Sequence, residues 1–140
     1  MRRRTLKSLL IAVGSMCFLF ASAVVYAGHD EIPRIPINDL KKLIDQKADI
    51  VILDAQLKDI YDSGHIKGAR SLPWKVDLSE TDVKNLPKDK LIVVYCDCGP
   101  GEADSSDEAA QLLELGFSNV KILGDPSIRG WKKAGYPIEK

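Results

Sequence analysis

Two runs of consecutive apolar residues, at positions 50–53 and 91–95, dominate the pattern of the chain and predict buried strands. A third strand is predicted at residues 120–123, and shorter extended stretches at residues 35–37 and 70–73. A strand that is apolar on both faces is typical of a parallel sheet covered by helices. The pattern therefore predicts a sheet whose central strands are buried from both sides.

Helical patterns separate these strands. Asn38 is a favourable N-cap for a helix whose leucine and isoleucine side chains recur on one face. Ser105 and Glu108 have the spacing of a capping box for a second helix, which Gly116 ends. Because strands and helices alternate, we predict an α/β fold with a mainly parallel central sheet and helices on both faces.

The N-terminal segment differs from the rest of the chain. A basic stretch at residues 2–7 precedes an almost entirely apolar run at residues 9–25, and Ala27 supplies a small residue where a signal peptidase cleaves. This pattern predicts a secretory signal at residues 1–27 and a secreted or periplasmic protein. An uncleaved anchor that leaves the domain outside the cytoplasm is the alternative, since the apolar run is just long enough to span a bilayer. We expect residues 28–34 to be loose and residues 35–140 to form one domain.

Charge and cysteine content exclude some classes of function and favour others. Four of the 20 basic residues and none of the 20 acidic ones lie before residue 28, so residues 28–140 carry a net charge of −4. A mildly acidic domain without a basic cluster argues against a nucleic-acid partner. Of the three cysteines, Cys17 lies within the predicted signal. Cys96 and Cys98 are too close in sequence for a disulfide between them to link distant parts of the fold, so we expect a chemical role for them.

The strand at residues 91–95 ends directly in Cys96, and a glycine- and proline-containing loop then leads into the second helix. Backbone amides and the dipole at a helix N-terminus favour a thiolate over a thiol, so Cys96 is the candidate nucleophile. The alternative is a buried structural thiol. The loop consists, besides Cys98, of Asp97, Gly99, Pro100, Gly101 and Glu102.

Three polar residues are candidates for supporting roles. Asp54 follows a parallel strand as Cys96 does, so both are expected to face one crevice, where Asp54 would accept loop amide bonds. His65 lies between glycines and could be a general base, but we favour a backbone hydrogen bond that shapes the turn. Ser105 could shape the mouth of the pocket, although its expected role as a cap already explains it.

Cys98 has two open interpretations. It could be a resolving thiol that attacks an oxidised or persulfidated Cys96, or it could be a spectator in a variable loop. An extended pair two residues apart has Cα atoms about 6–7 Å apart, at the long end of what a disulfide bridges. A metal site is disfavoured, because zinc takes four ligands and residues 28–140 offer two thiols and two histidines.

Taken together, several segments between residues 35 and 138 resemble the single-domain rhodanese family. The order and spacing of the segments carry this resemblance: residues 52–54, Tyr61 with 64–69, 91–96, 109–113 with 115–117, 120–124, Trp131 and 134–137. The resemblance implies a rhodanese-like fold. It also implies that Cys96 is the active cysteine, which in this family accepts sulfane sulfur as a persulfide and passes it to a nucleophile.

The loop departs from the family pattern. Most active members carry an arginine five positions after the cysteine, where this chain has Gly101, and no lysine or arginine occurs between Cys96 and Lys121. Five carboxylates instead follow the cysteine: Asp97, Glu102, Asp104, Asp107 and Glu108. We therefore expect weak stabilisation of anions, which favours a neutral or protein-bound sulfur donor over thiosulfate.

The leading hypothesis is an exported sulfurtransferase without a cofactor. It would take sulfur from polysulfide, a persulfide or thiosulfate, pass it to a thiol or cyanide-like acceptor, and touch a membrane only if the N-terminal segment is retained. The rivals are thiol–disulfide redox chemistry at Cys96 and Cys98, and a catalytically silent binding module. The glycines of the loop lack the spacing of a nucleotide-binding fingerprint.

Overall fold

The computed structural model describes residues 32–140. The predicted signal segment, residues 1–27, lies outside this range. Within it, no helix is long and apolar enough to cross a membrane. In chain order, the elements are β1 (Arg34–Ile35), α1 (Ile37–Asp45), β2 (Ile50–Asp54), α2 (Lys58–Ser63), β3 (His65–Ile66), β4 (Arg70–Ser71), α3 (Glu80–Val83), β5 (Leu91–Tyr95), α4 (Ala103–Glu114), β6 (Val120–Leu123), α5 (Ser127–Lys133) and β7 (Ile138–Glu139).

Five strands form the central sheet in the order β1-β6-β5-β2-β4, and every pair is parallel. The predicted parallel sheet is confirmed. β5 occupies the middle, with Leu53 of β2 opposite Val94 and Lys121 of β6 opposite Val93. The two short strands β3 and β7 pair antiparallel as a separate sheet. These two-residue strands and the short helix α2 have too few residues to show a periodic pattern, so the sequence does not predict them.

The core has two halves, one on each face of the sheet. Val94 and Cys96 belong to the half that packs against Leu112 of α4, whereas Val93 and Tyr95 belong to the half that packs against Trp131 of α5. Successive side chains of a strand point to opposite faces, so each central strand contributes to both halves. Helices on both faces are thereby confirmed.

Two predicted boundaries were wrong. Ile32 is buried in the core, and the Pro33 carbonyl accepts a hydrogen bond from the Ile122 amide, so the chain is ordered before residue 35. Residues 28–31 lie outside the described part of the chain.

Helix α1 has Pro36 at its N-cap, which places Asn38 inside the first turn. There its side-chain oxygen accepts a hydrogen bond from the Tyr136 hydroxyl instead of capping the helix.

A buried hydroxyl joins the two sheets. The Tyr95 hydroxyl donates to Asp54 Oδ2 (2.5 Å) and accepts from the amide of Ile66 in β3 (3.1 Å). Desolvation, followed by the nearby Asp54 charge, raises the pKa of Tyr95, so it stays protonated and able to donate.

The Tyr95→Phe variant tests this link. It leaves the Ile66 amide unpaired and removes one donor from Asp54, so we expect the free energy of unfolding to fall by about 1–3 kcal/mol. Urea denaturation measures the change. The control is Tyr136→Phe, which removes a hydroxyl whose hydrogen bond is exposed and should cost within about 0.5 kcal/mol. Equal losses in both variants would contradict the proposed link.

Candidate active site around Cys96

Cys96 directly follows the central strand β5, and its residue is 1% exposed. In the structure it forms a disulfide with Cys98, which lies on the exposed loop. The Cα atoms are 5.5 Å apart, closer than the extended separation expected from sequence, because the chain does not continue straight after β5. This separation lies in the usual range for disulfides.

The loop turns sharply into α4. Gly99 and Gly101 both have φ of +90°, a conformation that glycine adopts without the clash that a Cβ would cause. Glu102 is also left-handed, with φ of +46°, and its amide donates to the Gly99 carbonyl (3.2 Å). Pro100 lies exposed between the glycines. These turns carry the chain from the end of β5 back over Cys96.

Ser105 is not the N-cap that the sequence predicts. Because the chain turns at the left-handed Glu102, α4 begins at Ala103 and Ser105 lies within the first turn. Its hydroxyl donates to the Glu102 carbonyl (3.1 Å) and lies 3.5 Å from the Cys96 Sγ. Glu108 consequently forms no capping box with Ser105, and its side chain is buried instead. Ser105 thus touches the sulfur directly.

Asp54 and Cys96 do not face one crevice, which corrects the expectation from sequence. The Asp54 carboxylate bonds the Tyr95 hydroxyl, on the sheet face opposite to Cys96. It also accepts the Gln56 amide (2.9 Å), the local amide bond expected for this residue. His65 Nδ1 lies 2.9 Å from the Tyr61 carbonyl, and its ring stacks on the Tyr61 ring. His65 therefore helps to hold the turn between α2 and β3.

Two arginines from outside the loop contact its carboxylates. Arg34 Nε of β1 lies 3.2 Å from Glu102 Oε2, and Arg129 Nε of α5 lies 2.8 Å from Asp97 Oδ1. Next to Arg129, the Ser127 hydroxyl donates to the Cys96 carbonyl (2.9 Å). These three residues were not predicted, because none lies in a local sequence pattern that indicates contact with a loop 25 or more positions away.

Glu108 is a buried carboxyl with an altered pKa. The residue is 1% exposed, and within the described part of the chain neither carboxyl oxygen has a hydrogen-bond partner. Burial, followed by the charges of Asp54, Asp104 and Asp107, raises the pKa of Glu108 to about 9. Glu108 is therefore neutral at pH 7.

The loop region is much less negative than its composition implies. Of its five carboxylates, Asp97 and Glu102 are paired with arginines and Glu108 is protonated. Of the five, Asp104 and Asp107 are the two that are neither paired with a cation of residues 32–140 nor assigned a proton. Asp107 accepts hydrogen bonds from the Trp74 indole and the Gln111 amide. The expected repulsion of anionic substrates, which assumed five charges, is thus weakened.

Comparison with known proteins places the chain in a family. The family model of the rhodanese-like domain matches residues 37–134. The chain belongs to the rhodanese-like domain family. A sulfurtransferase from Allochromatium vinosum is 27% identical over 107 residues, which cover 76% of this chain and 94% of that protein. Family and relative together support a sulfurtransferase-type function that moves sulfur from a donor to an acceptor.

Solved structures with the rhodanese fold are similar to this chain. The BH2092 protein from Bacillus halodurans has a TM-score of 0.68 at 31% identity, over 76% of each chain. A thiosulfate sulfurtransferase from Pseudomonas aeruginosa has a TM-score of 0.65 at 27% identity, over 78% of this chain and 20% of that longer one.

Residues 32–140 contain no group of three or more histidine, cysteine, aspartate and glutamate side chains that could hold a metal ion.

Arg34→Met tests the buried ion pair. The Glu102 side chain is 3% exposed, so losing its cation leaves a buried charge unpaired. Because the Arg34 side chain is 36% exposed and partly screened, we expect a loss of about 1–3 kcal/mol in unfolding free energy, measured with urea. The double variant with Glu102→Gln should recover most of the loss. If the two losses simply add, the pair does not stabilise the loop.

Glu108→Gln tests the neutral carboxyl. The folded state keeps the Glu108 proton up to about pH 9, while the unfolded chain releases it near 4.5. Between these values the unfolded state binds fewer protons, so this group lowers stability as pH rises. We expect the stability of the variant relative to the parent to rise progressively from pH 5 to 9, by about 1 kcal/mol for each pH unit.

Urea denaturation at a series of pH values measures this difference. Glu114→Gln, which changes an exposed glutamate on the same helix, is the control and should leave the pH dependence unchanged. Parallel curves for the parent and Glu108→Gln would show that Glu108 ionises normally.

Proposed function

We propose that this protein transfers sulfane sulfur through a persulfide on Cys96. The position of the Cys96 Sγ carries the proposal: it lies at the end of β5, 3.5 Å from Ser105 Oγ in the first turn of α4. The first amides of a helix have no partner within the helix and favour a bound anion. The activity named for the relatives from A. vinosum and P. aeruginosa supports the same chemistry.

The reaction begins with the reduced enzyme. The Cys96 thiolate attacks the sulfane sulfur of the donor, a sulfur–sulfur bond of the donor breaks, and its remainder leaves with the electron pair; for thiosulfate this leaving group is sulfite. The terminal persulfide sulfur then passes to a thiolate or cyanide, and the Cys96 thiolate is regenerated. The Ser105 hydroxyl, 3.5 Å from the Cys96 Sγ, can donate a hydrogen bond to either anionic form of Cys96 once it rotates away from the Glu102 carbonyl.

The disulfide with Cys98 is a protected form in this proposal. A thiol reductant must open it before Cys96 can accept sulfur. Once Cys96 carries a persulfide, the Cys98 thiolate can attack its Cys96 sulfur, expel hydrosulfide and re-form the disulfide. This cycle suits an oxidising compartment, and we include in the proposal that residues 1–27 export or anchor the domain outside the cytoplasm.

Thiol–disulfide exchange without sulfur transfer is the second candidate. The Cys96–Cys98 disulfide is the observation that favours it. The two functions differ in what the protein retains: a sulfurtransferase gains sulfur from a donor, whereas an exchange protein gains none and only loses two hydrogens.

The intact mass of the reduced protein after exposure to thiosulfate or polysulfide tests the proposal. We expect a gain of one sulfur that cyanide removes, because the persulfide is cleavable by a nucleophile. Cys96→Ser should lose this gain completely. Cys98→Ser should retain it and release sulfur as hydrosulfide more slowly, since the resolving thiol is gone.

The outcomes separate the rivals. A loss of two hydrogens in the parent, with no sulfur retained by Cys98→Ser, would favour the exchange function, because that variant cannot expel hydrosulfide by re-forming the disulfide. No mass change with either donor would favour a silent binding module, and full activity in Cys96→Ser would refute Cys96 as the nucleophile.

A further inference from the structure

Arg129 contacts the active-site loop although it is 33 positions from Cys96 in sequence. Its guanidinium Nε lies 2.8 Å from Asp97 Oδ1, and Asp97 is the residue between the two cysteines. The Arg129 side chain is 53% exposed, so a small solute can reach it. It is thus a reachable cation beside the loop residue that separates the two cysteines.

The backbone around Arg129 is held against the loop. The Ser127 hydroxyl donates to the Cys96 carbonyl, and the Ser127 amide donates to the Gly124 carbonyl (2.8 Å). Gly130 packs closely on Pro126, where an added Cβ would lie only 2.5 Å from the proline ring. Because α5 is tied to the end of β5 in this way, Arg129 is presented to the loop by fixed structure.

The guanidinium has unused donors. Arginine carries five N–H groups, and the ion pair that Arg129 forms within residues 32–140 joins its Nε to Asp97. A planar guanidinium binds oxyanions through two parallel hydrogen bonds. Asp97 occupies only the Nε side, so an anion can share the guanidinium with it or replace it.

We propose that Arg129 is the anion-binding group of this active site and that Asp97 competes with the anion for it. An anionic sulfur donor of the thiosulfate type places its oxyanion end on the guanidinium while its sulfane sulfur faces Cys96. The inference deepens the proposed sulfurtransferase function and rests on it for the substrate. It reverses the expectation that the loop disfavours anions, because the cation comes from α5 instead of the loop.

Alkylation of Cys96 tests the anion-binding role without any sulfur transfer. Iodoacetate and iodoacetamide have similar size and attack the same thiolate, but only iodoacetate is an anion. The ratio of their rates at Cys96, followed by peptide mass in the reduced full chain with Cys98→Ser, therefore measures attraction of anions and cancels changes in thiol reactivity. The measurement is made at low ionic strength, where exposed charges are least screened.

The two members of the pair should change the ratio in opposite directions. Arg129→Gln should lower the iodoacetate-to-iodoacetamide ratio about fivefold, and Asp97→Asn should raise it by a similar factor. Arg129→Lys, which keeps the charge, should retain most of the ratio and guards against a folding defect in the glutamine variant. Lys133→Gln, which removes an exposed cation from the same helix, is the matched control and should change the ratio less than twofold.

Steady-state kinetics with thiosulfate then tests the substrate. Arg129→Gln should raise KM about tenfold or more with little change in kcat, the effect of losing a charged hydrogen bond that holds the donor. An unchanged alkylation ratio in Arg129→Gln would overturn the anion-binding role. A changed ratio with no sulfur transfer in the parent protein would instead refute the proposed function and leave the anion site standing.

Discussion

The parallel pairing of β5 between β2 and β6 is the constraint on which the active site depends. Because β5 is bonded on both sides, its carboxyl end has one position, and Cys96 follows it directly. The carboxyl ends of parallel strands open into the crevice where α/β proteins bind ligands. The same pairing places Tyr95 on one face and Cys96 on the other, so the bond between Tyr95 and Asp54 supports the strand from behind the sulfur.

Around that fixed sulfur, charge is arranged by residues distant in sequence. The Glu102 carboxylate is buried at the start of α4, where an unpaired charge would be costly, and Arg34 compensates it from the edge strand β1. Glu108 has no such partner and stays neutral instead. These two carboxyls show the two ways in which a buried acid is tolerated: an ion pair or a proton.

Charged side chains that solvent reaches interact more weakly than buried ones, because water screens them. Asp97 and Arg129 are both partly exposed, so their ion pair is weak and can exchange for another anion. A buried pair such as Arg34 with Glu102 holds the loop in place, whereas an exposed pair can take part in binding. The division between structural and functional charges follows from burial.

The sequence by itself determined the central strands, the α/β class, the family and the candidate nucleophile. The family follows from the order and spacing of the segments between residues 35 and 138, and the rest follows from local patterns: the apolar runs that become β2 and β5, and Cys96 at the end of the second. Only the tertiary structure decided the start of α4, the face of Asp54 and the contacts of Arg34 and Arg129. The helix start depends on the left-handed backbone at Glu102, and the ion pairs join residues 68 and 32 positions apart. Periodicity along the chain carries no information about such contacts, because they form only when the strands and helices pack.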